Sequence, residues 1–153
     1  MNRLIDILHQ GAYSCVIRKG DDLRTFHQRG VADLWQLCQA DEHFLQGAHI
    51  ADKVIGKGAA ALMIYGGATQ VYADVISQPA LHLLESHGIS VSYKQLTERI
   101  LNRRADGLCP VETLCVGLST IDDMIEAISR FIESNKANNP TTKPTDNTTQ
   151  TDR

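Results

Sequence analysis

The chain has 153 residues, of which 42% are hydrophobic and 22% are charged, and its formal net charge at pH 7 is −3. This length is enough for one domain with a core that needs neither disulfides nor metals. The charge balance lacks the basic excess of proteins that coat nucleic acids, so a nucleic-acid partner is not expected. Without a membrane-spanning apolar run or a secretory signal, the sequence predicts a cytoplasmic protein with reduced cysteines.

A helix, a β-hairpin and a second helix are predicted for the first third of the chain. Residues 4–11 place apolar side chains on one helical face and end at a glycine. Residues 13–17 alternate as a strand, the Gly-Asp-Asp segment at 20–22 supplies a turn, and residues 23–28 return as the antiparallel partner. Apolar residues at helical spacing then predict a short helix over 32–39 that covers the hairpin.

A single central helix is predicted over residues 50–65, because its apolar positions share one helical face and a Gly-Gly pair follows. Gly56 and Gly58 interrupt this helix. Since each glycine costs about 1 kcal/mol relative to alanine inside a helix, we expect the helix to lie very close to a sheet or a ligand.

The next segment predicts two parallel strands joined by a helix. Residues 69–77 are almost continuously apolar, as in a strand buried on both faces. Pro79 opens a helix at its first position, the helix stops at Gly88, and residues 89–93 alternate as the second strand. A strand, a helix and a strand within this length indicate a right-handed crossover.

Further helices are predicted from apolar spacing towards the C-terminus. They cover residues 96–104, residues 110–118 and the stretch after Thr120, where Asp123 resembles part of a capping box. Residues 136–153 have Ala137 as their one apolar residue, and nothing there offsets the entropy of ordering. The sequence therefore predicts a folded domain over residues 1–135 and a disordered polar tail over 136–153.

The first candidate site lies at the start of the predicted central helix. Asp52 suits the positive end of a helix dipole, and Lys53 and Lys57 are spaced to share a face, where two ammonium groups repel unless an anion lies between them. We predict Asp52 and Lys53 as catalytic residues and Lys57 as a ligand-binding residue for a small anion. The alternative is that both lysines are solvated and that Asp52 is a first-turn acid.

The second candidate site is the helix start at Cys109-Pro110-Val111-Glu112. Proline at the first helical position places Cys109 at the N-cap, where backbone amides favour a thiolate nucleophile. Glu112 lies over the same turn, either as a capping acid or as a proton carrier, and both residues are predicted to be catalytic. Cys115 fits packed core better than a ligand role, and Cys109 itself has packing as an alternative.

An arginine cluster at Arg99, Arg103 and Arg104 precedes that helix and is spaced to clamp a phosphate, although a solvated surface is the alternative. We assign Arg103 to ligand binding. Neither His-Glu-x-x-His nor paired Cys-x-x-Cys occurs, so neither a metal nor another cofactor is predicted. A metal hydrolase that uses His49 or Asp52 with Glu112 and Cys115 is a third hypothesis.

A set of short motifs follows in a distinctive order along residues 3–118. They are Asp52-Lys53-Val54-Ile55-Gly56-Lys57, Tyr65-Gly66-Gly67, Val75-Ile76-Ser77, Pro79-Ala80-Leu81, His87-Gly88-Ile89, Ser92-Tyr93, Asn102-Arg103 and Cys109-Pro110. As a set they resemble a bacterial family of domains of unknown function with the cytidine-deaminase-like fold. The resemblance implies an α/β fold of three layers, with a mixed sheet and helices on both faces.

The resemblance also implies a location for the site. Zinc deaminases carry His-x-Glu at one helix start and Pro-Cys-x-x-Cys at another, and this chain has neither motif. The equivalent helix starts are expected at Asp52-Lys53 and Cys109-Pro110, meeting at one end of the sheet without zinc.

These observations predict a deaminase-fold protein that binds a small anionic, nucleotide-like ligand, with hydrolytic or group-transfer chemistry by Cys109 and Asp52. The alternative is a noncatalytic ligand-sensing or interaction module on the same fold. Because deaminase-like folds commonly self-associate, the resemblance also allows for a homo-oligomer.

Overall fold

The computed structural model describes residues 1–27, 31–41, 43–100, 110–115 and 117–137. Within them the strands are β1 Cys15–Lys19, β2 Asp22–Phe26, β3 His49–Ile55, β4 Gln70–Ser77 and β5 Ser90–Thr97. The helices are α1 Asn2–Gln10, α2 Ala32–Ala40, α3 Lys57–Gly66, α4 Gln78–Ser86, α5 Pro110–Cys115 and α6 Ile121–Ala137.

The strands form one mixed sheet in the order β2-β1-β3-β4-β5. β1 runs antiparallel to both β2 and β3, whereas β3, β4 and β5 are parallel to one another. The carboxyl ends of β3, β4 and β5 therefore lie at the same edge of the sheet, which we call the carboxyl edge.

Helices cover both faces of this sheet, which confirms the predicted mixed α/β architecture. On one face α1 buries Leu4 and Leu8 against Val16, Ala51 and Tyr72. The larger core lies on the other face, where the remaining helices pack. Its fully buried members include Ile17, Ile50, Leu62, Met63, Leu84, Met124 and Ile128.

The hairpin and the parallel crossover follow the sequence predictions. β1 and β2 pair across a turn in which Gly20 has a φ of +58°, and α4 connects the parallel strands β4 and β5. Ser77 caps α4, because its hydroxyl accepts a hydrogen bond from the Ala80 amide at 3.3 Å. The helix begins at Gln78, so Pro79 occupies the second helical position rather than the predicted first.

The predicted central helix over residues 50–65 is wrong in its first half, which forms strand β3. Gly56 is extended, with φ −99° and ψ −178°, and separates β3 from α3. The apolar positions fit a helical face by coincidence, because the β-branched Ile50, Val54 and Ile55 also suit a buried strand. The end of the helix at Gly66 and the cap at Gly67 are confirmed.

The predicted close approach of the central helix occurs at Gly58, and the neighbour is α5. A Cβ at Gly58 would lie 2.3 Å from Cγ1 of Val111. Because real Cβ contacts are much longer, α5 packs directly on the backbone of α3 only while this position is glycine.

The C-terminal predictions hold in part. The helix predicted over 96–104 is wrong at Leu96 and Thr97, which end β5, and residues 101–104 lie outside the described residues. The Thr120 hydroxyl accepts a hydrogen bond from the Asp123 amide at 3.2 Å, as expected of a cap. The predicted tail begins within α6, and residues 138–153 lie outside the described part. No helix that the structure describes is both long and apolar enough to cross a membrane.

Candidate functional site

The carboxyl edge of the sheet is organised around the side chain of Glu112, which is only 1% exposed. Its Oε1 accepts hydrogen bonds from the Lys57 amide, at 3.2 Å, and from the Ser77 hydroxyl. Its Oε2 accepts one from the Ile100 amide. One carboxylate thus joins α5 to the start of α3, the cap of α4 and the chain that follows β5.

This arrangement places a negative charge where an anion would sit at the N-terminus of α3. The helix dipole and the Lys57 amide both favour an anion there, and the carboxylate comes from the protein itself. Gly56 lies beside this carboxylate: a Cβ at that position would lie at an ordinary contact distance of 3.4 Å from Oε1 of Glu112 and at a tighter 3.3 Å from Cγ1 of Ile100. Glu112 has the geometry of a capping acid, but it caps α3 rather than its own helix.

The side chain of Lys57 also forms a contact near Glu112, at the junction where α3, α4 and α5 meet. The ammonium group donates a hydrogen bond to the Leu118 carbonyl at 3.1 Å, and the side chain is half-buried. Lys53 lies in β3 while Lys57 opens α3, so the predicted pair of lysines on one helical face does not form. Lys57 and Glu112 are the predicted site residues that the structure brings together.

Asp52 forms a separate polar site with Cys15, its register partner across β1 and β3. Oδ1 of Asp52 accepts a hydrogen bond from the Val54 amide at 3.2 Å. Burial raises the pKa of Asp52 to about 7, and the nearby Asp74 acts in the same direction, against hydrogen bonds from Val54, Cys15 and Lys53. Asp52 thus exchanges its proton near neutral pH. The carboxyl end of β3, next to Asp52, is accessible to solvent, since Val54 is 41% exposed.

The cysteines near these elements are poor nucleophiles. Burial, and then the Asp52 charge, raise the pKa of Cys15 well above its ordinary value. Burial raises the pKa of Cys38 to about 11. Cys115 is fully buried, which agrees with the core alternative. Cys109 and Arg103 lie outside the described residues, so their predicted roles stay predictions.

An open groove of about 400 Å³ lies at the carboxyl edge beside the start of α4. We call it the α4 groove, and its lining residues are Gln78, Pro79, Leu81, His82, Glu85 and Arg99. Arg99 belongs to the arginine cluster seen in the sequence, but His82 and Gln78 were not predicted. The sequence feature that could have indicated them is Pro79, which marks a helix start directly after a buried strand.

A polar cluster on the α1 face of the sheet was not among the sequence predictions. Nε2 of His9 lies 2.8 and 2.9 Å from the two carboxylate oxygens of Asp74, and the Tyr72 hydroxyl donates to the same carboxylate at 2.6 Å. Burial and then the hydrogen bond to Asp74 raise the pKa of Tyr72 to about 12, so Tyr72 remains a neutral donor. The cluster joins α1 to β4 over a long sequence separation, which no local pattern reveals.

The metal-hydrolase hypothesis, with His49 or Asp52 beside Glu112 and Cys115, has no supporting geometry among the described residues. Nδ1 of His49 lies 3.2 Å from the Arg18 guanidinium, and burial and that charge lower the pKa of His49. Among the described residues, no group of three or more His, Cys, Asp or Glu side chains is arranged to hold a metal ion.

Comparison with known proteins assigns the chain to a family. The family model TM1506, described as a domain of unknown function (DUF1893), matches residues 3–132. The chain belongs to the DUF1893 family. The predicted membership of a bacterial family of unknown function is thereby confirmed.

A solved DUF1893 structure is also similar. The crystal structure of the DUF1893 family protein TM1506 from Thermotoga maritima shares 25% sequence identity with this chain, covers 88% of each chain and has a TM-score of 0.77. The comparison with curated proteins found no match. This similarity over 88% of each chain agrees with the family assignment.

Proposed function

We propose that this DUF1893 protein binds a small anionic, nucleotide-like ligand in the α4 groove. The observation that carries the proposal is the groove itself, about 400 Å³ at the carboxyl ends of β4 and β5, with Arg99 in its wall. Small-molecule sites commonly have volumes of about 300–1,000 Å³. In open α/β sheets, ligands bind in the crevice outside the carboxyl ends of the strands.

The groove residues match the charge of such a ligand. Arg99 is exposed and presents a planar set of donors suited to a phosphate, and it donates a long hydrogen bond of 3.5 Å to the Glu98 carbonyl. The positive end of the α4 dipole, at Gln78, lies in the same groove. Glu85 supplies a carboxylate that accepts hydrogen bonds from hydroxyl or amino groups. A ligand with both a phosphate and a polar organic part therefore fits better than a bare anion.

We further propose that the fold is cytidine-deaminase-like. Support comes from α3 and α4, which both begin at the carboxyl edge and are joined there through Glu112. These helix starts lie at Lys57 and Gln78. The expected start at Asp52-Lys53 is wrong, because both residues lie in β3, whereas α5 does begin at Pro110, as expected.

The zinc of that fold family does not fit this site. The chain at these starts reads Gly56-Lys57-Gly58 and Ser77-Gln78-Pro79-Ala80, without a histidine or cysteine ligand.

The geometry of Glu112 favours ligand binding without catalysis. Three donors hold its two oxygens in a fixed position, and the side chain is sealed from solvent. A carboxylate so engaged stabilises the fold and is not placed to carry protons to a ligand.

Hydrolytic or group-transfer chemistry is the second candidate function, and Asp52 is the observation that favours it. A carboxyl group with a pKa of about 7 is matched to proton transfer at neutral pH. β3 lies two strand spacings, or about 10 Å, from β5. A ligand that extends from the α4 groove along the carboxyl edge would bring its far end towards Asp52.

Calorimetric titration of the full chain with adenosine monophosphate, inorganic phosphate and uncharged adenosine tests the proposal. We expect the monophosphate to bind most tightly and Arg99→Gln to weaken it at least tenfold, or about 1.4 kcal/mol. Arg130→Gln is the matched control, because Arg130 is exposed on α6 and pairs with Glu126.

Equal affinity in both variants, or no nucleotide binding at millimolar concentration, would contradict the proposal. If Asp52 acts chemically, Asp52→Asn abolishes turnover of a bound ligand and leaves its affinity unchanged. Retained turnover would exclude that role.

A further inference from the structure

Strand β5 forms an exposed edge of the sheet. It comes last in the strand order and spans Ser90–Thr97, and six of its eight residues are exposed. Among the described residues no strand pairs with its outer side, so the backbone N–H and C=O groups there can pair with another strand. Strands are most often five or six residues long, so this edge is longer than usual.

This edge has few of the features that usually prevent strand pairing. It contains no proline, and Lys94 is its one charged residue. Two large apolar side chains are exposed along it, Tyr93 at 42% and Leu96 at 38%. The opposite edge strand, β2, is shorter and carries Asp22 and Arg24. The contrast marks β5 as the edge suited to association.

We propose that β5 pairs antiparallel with β5 of a second copy of this chain, so that the sheet continues across a two-fold axis. In such a pair, directly opposite residues lie on the same face of the sheet, so a central residue faces its own symmetry mate. A register centred on Lys94 sets two ammonium groups opposite each other, which is unfavourable. A register centred on Tyr93 places the two tyrosine rings together and sets Lys94 opposite Ser92 of the partner subunit.

The Tyr93 register favours a second copy as the partner strand, because it places the two exposed Tyr93 rings together and sets no charged side chain opposite another. It also covers residues 90–96 of each strand, nearly the whole length of β5. This inference is independent of the ligand proposed for the α4 groove, because it rests on the outer edge of β5.

Cysteine cross-linking of the full chain tests the register. Each variant carries Cys109→Ser, because the other native cysteines are buried. Opposite Cβ atoms in an antiparallel pair are about 4.5–5.5 Å apart, close to disulfide geometry. We expect Tyr93→Cys to form a covalent dimer under mild oxidation. Gln95→Cys is the matched control on the same face, with its symmetry mate roughly 13 Å away, and it should remain monomeric on a nonreducing gel.

Sedimentation velocity tests the interface without cysteines. Tyr93→Lys should weaken dimerisation at least tenfold, since it sets charges of one sign opposite each other. Tyr65→Lys changes a tyrosine on α3 that is more exposed than Tyr93, 52% against 42%, and should sediment like the unmodified chain.

A chain that stays monomeric up to about 100 μM, a range in which specific association is readily seen, would overturn the proposal. Equal cross-linking of the two cysteine variants, or a dimer unaffected by Tyr93→Lys, would also overturn it. Circular dichroism of each variant separates a lost interface from a lost fold.

Discussion

Replacement of Glu112 by glutamine removes the negative charge at the carboxyl edge and keeps the size of the side chain. The amide oxygen can still accept from Lys57 and Ser77, but the amide nitrogen then faces the Ile100 N–H, so two donors oppose each other. A hydrogen bond to a charged group contributes about 1.5–3 kcal/mol, and an unpaired buried donor costs about 1–3 kcal/mol. We expect a loss of about 2–4 kcal/mol in the free energy of unfolding.

Chemical denaturation followed by circular dichroism measures this loss. For a domain of this size each kcal/mol shifts the melting temperature by roughly 3 °C, so a fall of about 6–12 °C is expected. The control is Glu126→Gln, in which an exposed pair with Arg130 is lost, at a cost of no more than about 0.5 kcal/mol. A loss below about 1 kcal/mol for Glu112→Gln, with an unchanged denaturant slope, would refute this account of the junction.

Three further predictions concern Asp52, Gly58 and Cys109. The folded state raises the pKa of Asp52 from 3.8 to about 7, so its contribution to the free energy of unfolding falls as pH rises between these two values. Asp52→Asn should flatten this part of a plot of unfolding free energy against pH. Identical plots for the two proteins would contradict the prediction. Gly58→Ala should destabilise by about 1–3 kcal/mol because of the clash with Val111, and added Val111→Ala should recover part of that loss in a double-mutant cycle; additive effects would exclude the clash. Cys109 should react with maleimide faster than the buried Cys115, as read by mass spectrometry; equal rates would remove the case for its thiolate.

The local patterns in the sequence predict much of the fold. The hairpin, the first helix and the β4-α4-β5 crossover each depend on neighbouring residues, whose turn chemistry and periodicity agree with the tertiary structure. The family resemblance adds the mixed sheet with helices on both faces, which periodicity alone does not give.

The main error, at residues 50–55, arises because a short apolar run fits two periodicities. Burial of Ile50 and Ala51 in a central strand decides the outcome, and the sequence carries no measure of it. This error placed Asp52 and Lys53 at a helix start, whereas both lie in β3.

The candidate site depends on contacts between distant segments. Glu112 meets Ser77 and Lys57 through tertiary packing, with separations of 35 and 55 residues. Its residue type and its place in a first helical turn predicted a capping role, but the capped helix was identified only by the fold. The cluster of His9 with Asp74 left no local signal for the same reason.

The most direct test of the proposed function is a backbone amide NMR titration of the full chain with adenosine monophosphate. We predict saturable chemical-shift changes that cluster at residues 78–85 and at Arg99, which surround the α4 groove. Arg99→Gln should reduce them in proportion to the lost affinity. Shifts that cluster instead on α6, or an unchanged spectrum at millimolar nucleotide, would contradict the assignment of the groove as the ligand site.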